Sequence, residues 1–178
     1  MEAKSKGWKV KGVDVSFNEV EYATKRLHLN VVRSDIIKYK DINKYDLITL
    51  SQVIEHIRNP NELIKKTKSL LAKNGLLYIA TPNINSASAM IHGINFEHFI
   101  PPEHLNYFNN QSLKYLLEAN GFRILRWETW GYPENISGIV KRLLKRNVKN
   151  SPKVDNLNKV NEDLSLIHIS EPTRQAEI

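Results

Sequence analysis

Val10-Lys11-Gly12-Val13-Asp14-Val15-Ser16 is the stretch from which the fold can be read. Its β-branched residues predict a short strand over 8–15, and that strand closes on an acid. Ser16 and Glu19 have the spacing of a capping box, so a helix is expected to start directly afterwards and run to about His28. A strand that ends in Asp and passes into a helix is where a nucleotide-binding α/β fold holds a ribose, because one carboxylate can accept from both ribose hydroxyls. Such an acid ordinarily follows a glycine-rich loop by about 20 residues. Here only a helix-like run, residues 1–7, precedes the strand, so the first strand and glycine loop of such a fold have no counterpart in the sequence.

The pattern continues beyond this opening. Residues 29–32 read as a short apolar strand leading into Ser34-Asp35, and 45–51 as a strand with little alternation, the mark of burial on both faces of a parallel sheet. Residues 61–72 carry Leu63, Ile64, Leu70 and Leu71 at helical spacing, with Asn74-Gly75 as a left-handed stop. Residues 76–80 read as another buried strand, 112–119 as an amphipathic helix closed by Asn120-Gly121, and 122–130 as a further strand. Strands alternating with helices predict an α/β, doubly wound, mostly parallel sheet. The stretch 84–111 is too long for an ordinary connection and holds His92, Phe96, His98, Phe99, His104, Tyr107 and Phe108, so it is expected to be functional. A last helix is expected over 139–146, and 148–163 is polar and expected to be poorly ordered.

Composition narrows the options. The 178 residues, 41% apolar and 25% charged, are those of one water-soluble domain with a single core. Without cysteine there is no disulfide, thiolate metal site or cysteine nucleophile. No apolar run approaches the ~18 residues of a membrane span, so no stable membrane insertion is expected. The charged opening Met-Glu-Ala-Lys-Ser-Lys makes a cytoplasmic location the expectation. The net charge of +7 comes largely from Lys65, Lys66 and Lys68 and from Lys141, Arg142, Lys145, Arg146 and Lys149. These read as solvated helix faces rather than a nucleic-acid surface, which would interleave basic and aromatic residues on one face.

Three segments in order resemble a class I S-adenosylmethionine-dependent methyltransferase, of the small-molecule type similar to ubiquinone-biosynthesis O-methyltransferases. They are residues 10–16, the run Tyr45-Asp46-Leu47-Ile48-Thr49-Leu50-Ser51-Gln52-Val53-Ile54-Glu55-His56-Ile57, and the run from Leu70 through Asn74-Gly75 to Thr81-Pro82-Asn83. The resemblance covers roughly residues 7–130. It implies a Rossmann-like domain over 1–147, incomplete in lacking the first strand, the glycine loop and the closing antiparallel strand. It also implies S-adenosyl-L-methionine as cofactor and a small-molecule acceptor of an O- or N-linked methyl group. On this resemblance the intact parent protein is expected to transfer methyl, while the chain as given is expected to bind cofactor poorly. The alternatives are an inactive Rossmann-like fragment and an NAD(P)-dependent dehydrogenase or epimerase. The last would need a Tyr-x-x-x-Lys pair, whereas Tyr22 is followed by Arg26. An amino-group methyltransferase acting on nucleic acid would carry Asp/Asn-Pro-Pro-Tyr/Phe where this chain has Ser51-Gln52-Val53-Ile54.

The same resemblance assigns roles. Asp14, with Val15 beside it, is the ribose acceptor. Asp35 matches the acid that accepts from the adenine amino group, or is an exposed turn acid, with Ile36 offering an amide and an apolar face. Ser51, Gln52 and Val53 follow the fourth family strand, where ligands bind in open α/β sheets. Val53 either packs on adenosine or fills core. His98 and His104 are the candidate catalytic bases, since imidazole titrates near neutral pH. Phe99, Tyr107 and Phe108 are candidate walls of an acceptor pocket. Adjacent residues on a helix point about 100° apart, so Glu55 and His56 are not expected to address one atom, and no metal is expected.

Residues 164–174, Leu-Ser-Leu-Ile-His-Ile-Ser-Glu-Pro-Thr-Arg, resemble residue for residue the translation of a transposase adapter used in sequencing libraries. Residues 164–178 are therefore expected to be a non-native tail, to be set aside in fold reasoning.

Overall fold

The parallel pairing of β3 (Tyr45–Ser51) with β4 (Leu71–Pro82) is the ladder around which the larger core is built. Leu50 lies opposite Ile79 and Ser51 opposite Ala80, and Leu77 and Ile79 have no exposed surface. The helix between them, α3 (Pro60–Leu70), starts on the Asn59 side chain, which accepts from the Glu62 amide. Pro60 fills the first turn, where its missing N–H costs nothing. Leu63, Ile64, Thr67 and Leu70 form its buried face, and the lysines lie between them. This is a computed structural model, and it describes residues 2–130 and 164–170.

The chain divides into two units, Met1–Lys44 and Tyr45–Ile178. In the first, α1 (Glu2–Ser5) precedes β1 (Gly12–Asp14), α2 (Phe17–Lys25) and β2 (Val31–Arg33). β1 and β2 pair in parallel, with Asp14 opposite Arg33. In the second unit β3, α3 and β4 are followed by α4 (Ala87–His92), α5 (Asn110–Ala119), β5 (Arg123–Trp130) and β6 (Leu164–Ser170). Its strand order is β3-β4-β6-β5, with β6 antiparallel to both neighbours. β4 and β5 therefore run the same way, and the architecture is the expected α/β, Rossmann-like one with parallel strands.

Apart from α4, which lies in the stretch read as a long connection, and β6, which lies in the tail set aside, element types agree with the sequence reading, while several boundaries move. The first strand is three residues, not eight, because only Gly12–Asp14 finds a partner. α2 ends at Lys25 rather than near His28, where the backbone turns left-handed (φ 51°). α3 stops at Leu70, before the expected Asn74-Gly75 cap. Asn74 is left-handed (φ 63°), but it serves an irregularity between the Leu71 and Leu76 pairings of β4. Gly75 is required there, since a Cβ would lie 2.9 Å from the Tyr45 carbonyl oxygen. The helix expected over 139–146 and the polar 148–163 lie outside the described residues.

The place of a closing antiparallel strand is taken by the run expected to be a non-native tail. β4 and β5 present two open backbone edges, and Leu164–Ser170 bridges them, Ile79 pairing with Ile167 and Ile167 with Trp127. The physical reason is that a ladder asks its strand for extended, β-prone backbone without proline. The run Leu-Ser-Leu-Ile-His-Ile-Ser meets that requirement whatever its origin.

Candidate functional site

In the first unit, the carboxyl ends of two neighbouring parallel strands carry the two candidate acids. Asp14 ends β1, and its Oδ1 accepts from the Ser16 amide at 2.7 Å. Ser16 caps α2 by accepting from the Glu19 amide at 3.3 Å, so Asp14 is not needed as the cap. Its Oδ2 has no hydrogen-bond partner among the described residues, and the residue is exposed. Val15 is two-thirds exposed at the same rim, its carbonyl accepting from Arg33 Nε. Asp35 begins a turn after β2: its Oδ1 accepts from the Ile37 amide at 2.8 Å, and its carbonyl from the Lys38 and Tyr39 amides. Ile36 is half-buried in that turn. This unit also holds Lys11, whose ammonium lies 2.7 Å from Asp41 Oδ2, an oxygen that also accepts from the Tyr39 hydroxyl. Those hydrogen bonds, Asp41 first and Tyr39 second, raise the Lys11 pKa above 10.5.

In the second unit, β3 ends in an exposed Ser51 and turns through Gln52, which is left-handed (φ 53°) and donates its amide to the Ala80 carbonyl. Val53 is half-buried and leads into a single 3₁₀ turn, Ile54–His56. Ile54 has no exposed surface and Glu55 is 1% exposed. Glu55 Oε2 accepts from the Thr81 hydroxyl at 3.0 Å, whereas Oε1 is buried without a hydrogen-bond partner. The Glu55 carbonyl accepts from the amides of Leu105 and Asn106, and Asn106 Nδ2 donates to the Ile57 carbonyl. These bonds fasten the far end of the 84–111 stretch to the turn after β3.

The stretch therefore delivers its histidines to that turn. The His104 ring meets the His56 ring edge-on at 4.6 Å between centroids and stacks on the His98 ring at 6.3 Å. His104 is buried, with Nδ1 2.7 Å from the His98 carbonyl, and His56 Nδ1 lies 2.9 Å from the Glu103 carbonyl. His98 Nε2 is buried without a hydrogen bond, 3.7 Å from a Glu97 carboxylate oxygen. Phe99 packs on Tyr107 at 4.8 Å and is 44% exposed, but Phe108 is core: it is buried, and its carbonyl accepts from the Ile84 amide. Phe108 is thus corrected from pocket wall to packing residue. His92 stands apart, bonded through Nδ1 to Ser88 one turn earlier.

Glu55 and His56, not expected to address one atom easily, lie close together with a third group. A carboxylate oxygen of Glu55 and one ring nitrogen each of His56 and His104 lie within 4.8 Å of one another. A regular α-helix sets neighbouring Cβ directions about 100° apart, but this segment is a single 3₁₀ turn and the third group arrives from a distant loop. His104 could be singled out in the sequence, but its meeting with Glu55 could not.

Lys68, one of the three α3 lysines, donates to the carbonyls of Asn120 and Gly121 and lies over the Phe122 ring. It is a structural clamp rather than part of a basic face. Among the described residues no helix is long and apolar enough to cross a membrane.

Acids at the carboxyl ends of parallel strands are a feature of nucleotide-binding α/β domains. The methyltransferase domain family matches residues 1–126, and the chain belongs to it. It is 31% identical over 121 residues to the ubiquinone biosynthesis O-methyltransferase of Glaesserella parasuis, covering 54% of this chain and 51% of that protein. The chain thus spans about half the length of this curated relative. Among solved structures it resembles a SAM-dependent methyltransferase from Archaeoglobus fulgidus, with TM-score 0.69, 24% identity, and 96% of this chain and 79% of that one covered. It also resembles the N-methyltransferase NodS from Bradyrhizobium japonicum in complex with S-adenosyl-L-homocysteine, with TM-score 0.58, 15% identity, and coverage of 92% and 67%. At these identities the structural likenesses speak for the fold alone.

Proposed function

We propose that the protein carrying this domain transfers a methyl group from S-adenosyl-L-methionine to a small-molecule acceptor. The observation that carries the reading is Asp14. It is an exposed acid ending a parallel strand inside the family match, one oxygen held by Ser16 and the other without a partner. Those two oxygens fit a vicinal diol, and Asp35 with the Ile36 amide, on the neighbouring strand, offers the acceptor–donor pair an adenine edge needs. Ser51, Gln52 and Val53 are assigned to the sulfonium end. Gln52 is left-handed there (φ 53°), ending the strand. Weak cofactor binding by the chain as given belongs to the same proposal.

When bound, the sulfonium supplies an electrophilic methyl. The rest is positioning of an acceptor in line with it, and loss of a proton if the acceptor is a hydroxyl. His98 and His104 are assigned to that proton, and Phe99 with Tyr107 to the acceptor's apolar part. A soluble, cytoplasmic location without nucleic acid as partner belongs to the same proposal and is checked by cell fractionation. The names of the similar proteins support methyl transfer, and nothing among them supports the dehydrogenase alternative.

The test is titration of the full chain with S-adenosyl-L-homocysteine, followed by thermal unfolding. A ligand that binds only the folded state raises the melting temperature with concentration. Asp14→Ala removes hydrogen bonds to a charged group worth about 1.5–3 kcal/mol, so affinity is expected to fall roughly 10- to 100-fold. No ligand-dependent shift in the unsubstituted chain would favour the inactive Rossmann-like fragment instead.

A further inference from the structure

Tyr107 is buried the wrong way round. A tyrosine ordinarily sinks its ring into the protein and leaves the hydroxyl wet or hydrogen-bonded. Here the residue as a whole is half-buried, yet its hydroxyl is buried without a hydrogen-bond partner among the described residues. Local looseness does not account for this. The Asn106 amide donates to the Glu55 carbonyl at 3.0 Å, and its Nδ2 donates to the Ile57 carbonyl at 2.6 Å. On the other side Phe108 is buried, bridges to Asn83 and accepts from the Ile84 amide. Tyr107 is therefore held between two anchored neighbours, its ring 4.8 Å from that of Phe99 and 6.3 Å from that of His104. Phenylalanine would fill the same space with no polar atom to satisfy. A buried hydroxyl left unpaired is costly, so packing alone gives it no reason to be there.

We infer that the Tyr107 hydroxyl is a specificity determinant of the acceptor site, donating a hydrogen bond to an oxygen of the bound molecule. The inference rests on the methyl-transfer reading in calling that molecule a methyl acceptor. The rings of Phe99 and Tyr107 take its apolar part, and the hydroxyl adds a requirement that a wall of rings cannot impose. An apolar wall separates molecules that differ by one small group only weakly. A buried donor rejects an analogue that would leave it unpaired. Phe99 is 44% exposed, so its ring is the one that turns aside when a molecule reaches the hydroxyl. The unpaired hydroxyl of the free protein is thus a cost that only an oxygen-bearing acceptor relieves.

The experiment uses the full chain, with phenol and toluene as probes, two molecules of one shape in which a hydroxyl stands for a methyl. Ligand-observed NMR gives the affinity of each, and thermal unfolding without ligand gives the stability. From the unsubstituted chain to Tyr107→Phe, the ratio of phenol to toluene affinity is expected to fall roughly 2- to 10-fold, the range of one net hydrogen bond. Without ligand, Tyr107→Phe is expected to melt at the same temperature or higher, since it removes a hydroxyl that nothing pairs. Tyr39→Phe is the contrast: that hydroxyl donates to Asp41 Oδ2 at 2.5 Å, and its loss is expected to lower the melting temperature. Absence of phenol binding, an affinity ratio unchanged in Tyr107→Phe, or a melting temperature of Tyr107→Phe as low as that of Tyr39→Phe would each overturn the assignment. None of these results depends on S-adenosyl-L-homocysteine, so failure here is distinguishable from failure of the methyl-transfer reading.

Discussion

Asp14 and Asp35 show how far single residues can be read. Asp14 is the last residue of β1 and Asp35 lies two residues beyond the end of β2, so the parallel register puts both at the carboxyl end of the β1–β2 ladder. One carboxylate oxygen of each accepts from a backbone amide of the following turn, and the other is the one the proposed function assigns to the ligand. At the same scale, His98 and His104 carry a kinetic prediction. With both changed to Asn, turnover of a hydroxyl acceptor is expected to fall by roughly the 10²–10⁴-fold that general base catalysis contributes, while binding of S-adenosyl-L-homocysteine is unchanged. Full turnover in the double variant would remove both from the proton path. Lys11 carries a pH prediction. Its pKa is raised above 10.5 by Asp41 and Tyr39. The stabilisation is therefore complete below 10.5 and is lost as pH rises through the higher folded-state value. Thermal unfolding followed across the alkaline range should show that loss in the unsubstituted chain and less of it in Lys11→Met.

Among elements, α3 is the one whose packing is most fully specified. Its cap, its first-turn proline and its four buried side chains agree with one another. Leu63 has no exposed surface, so Leu63→Ala is expected to cost about 2–5 kcal/mol in denaturant unfolding. A cost below 1 kcal/mol would mean that the helix does not pack as described. The turn after β3 is the opposite case. It is short and irregular, and it is held by bonds to residues about 50 positions away, such as Asn106 Nδ2 to the Ile57 carbonyl. Periodicity has nothing to say about such a turn, so the meeting of Glu55 and His56 with His104 has no local signature.

For the whole molecule, β6 is the element on which the second sheet closes. Its middle residue, Ile167, is paired on both sides, to Ile79 and to Trp127. Ile167→Pro removes a ladder donor in a strand with no free edge, and is expected to lower the melting temperature and promote aggregation through the exposed edges of β4 and β5. An unchanged melting curve would show that the strand adds nothing in solution. That residues 164–178 are foreign to the gene is a separate proposal, decided by resequencing the locus; native coding sequence through Leu164 would refute it. The two results are independent, because pairing in a ladder depends on extended backbone rather than on ancestry.

Sequence alone determined the order and kind of the elements other than α4 and β6, the acid at the end of the first strand and the methyltransferase resemblance. These rest on local matters: hydrophobic period, capping residues and the chemistry of a strand's last position. Tertiary structure decided that Phe108 is core, that Lys68 is a clamp, that β6 fills the gap between β4 and β5, and that two histidines from separate segments face one orphaned carboxylate oxygen. Each of these depends on which distant backbone groups a side chain or strand meets, and no local pattern in the chain records that.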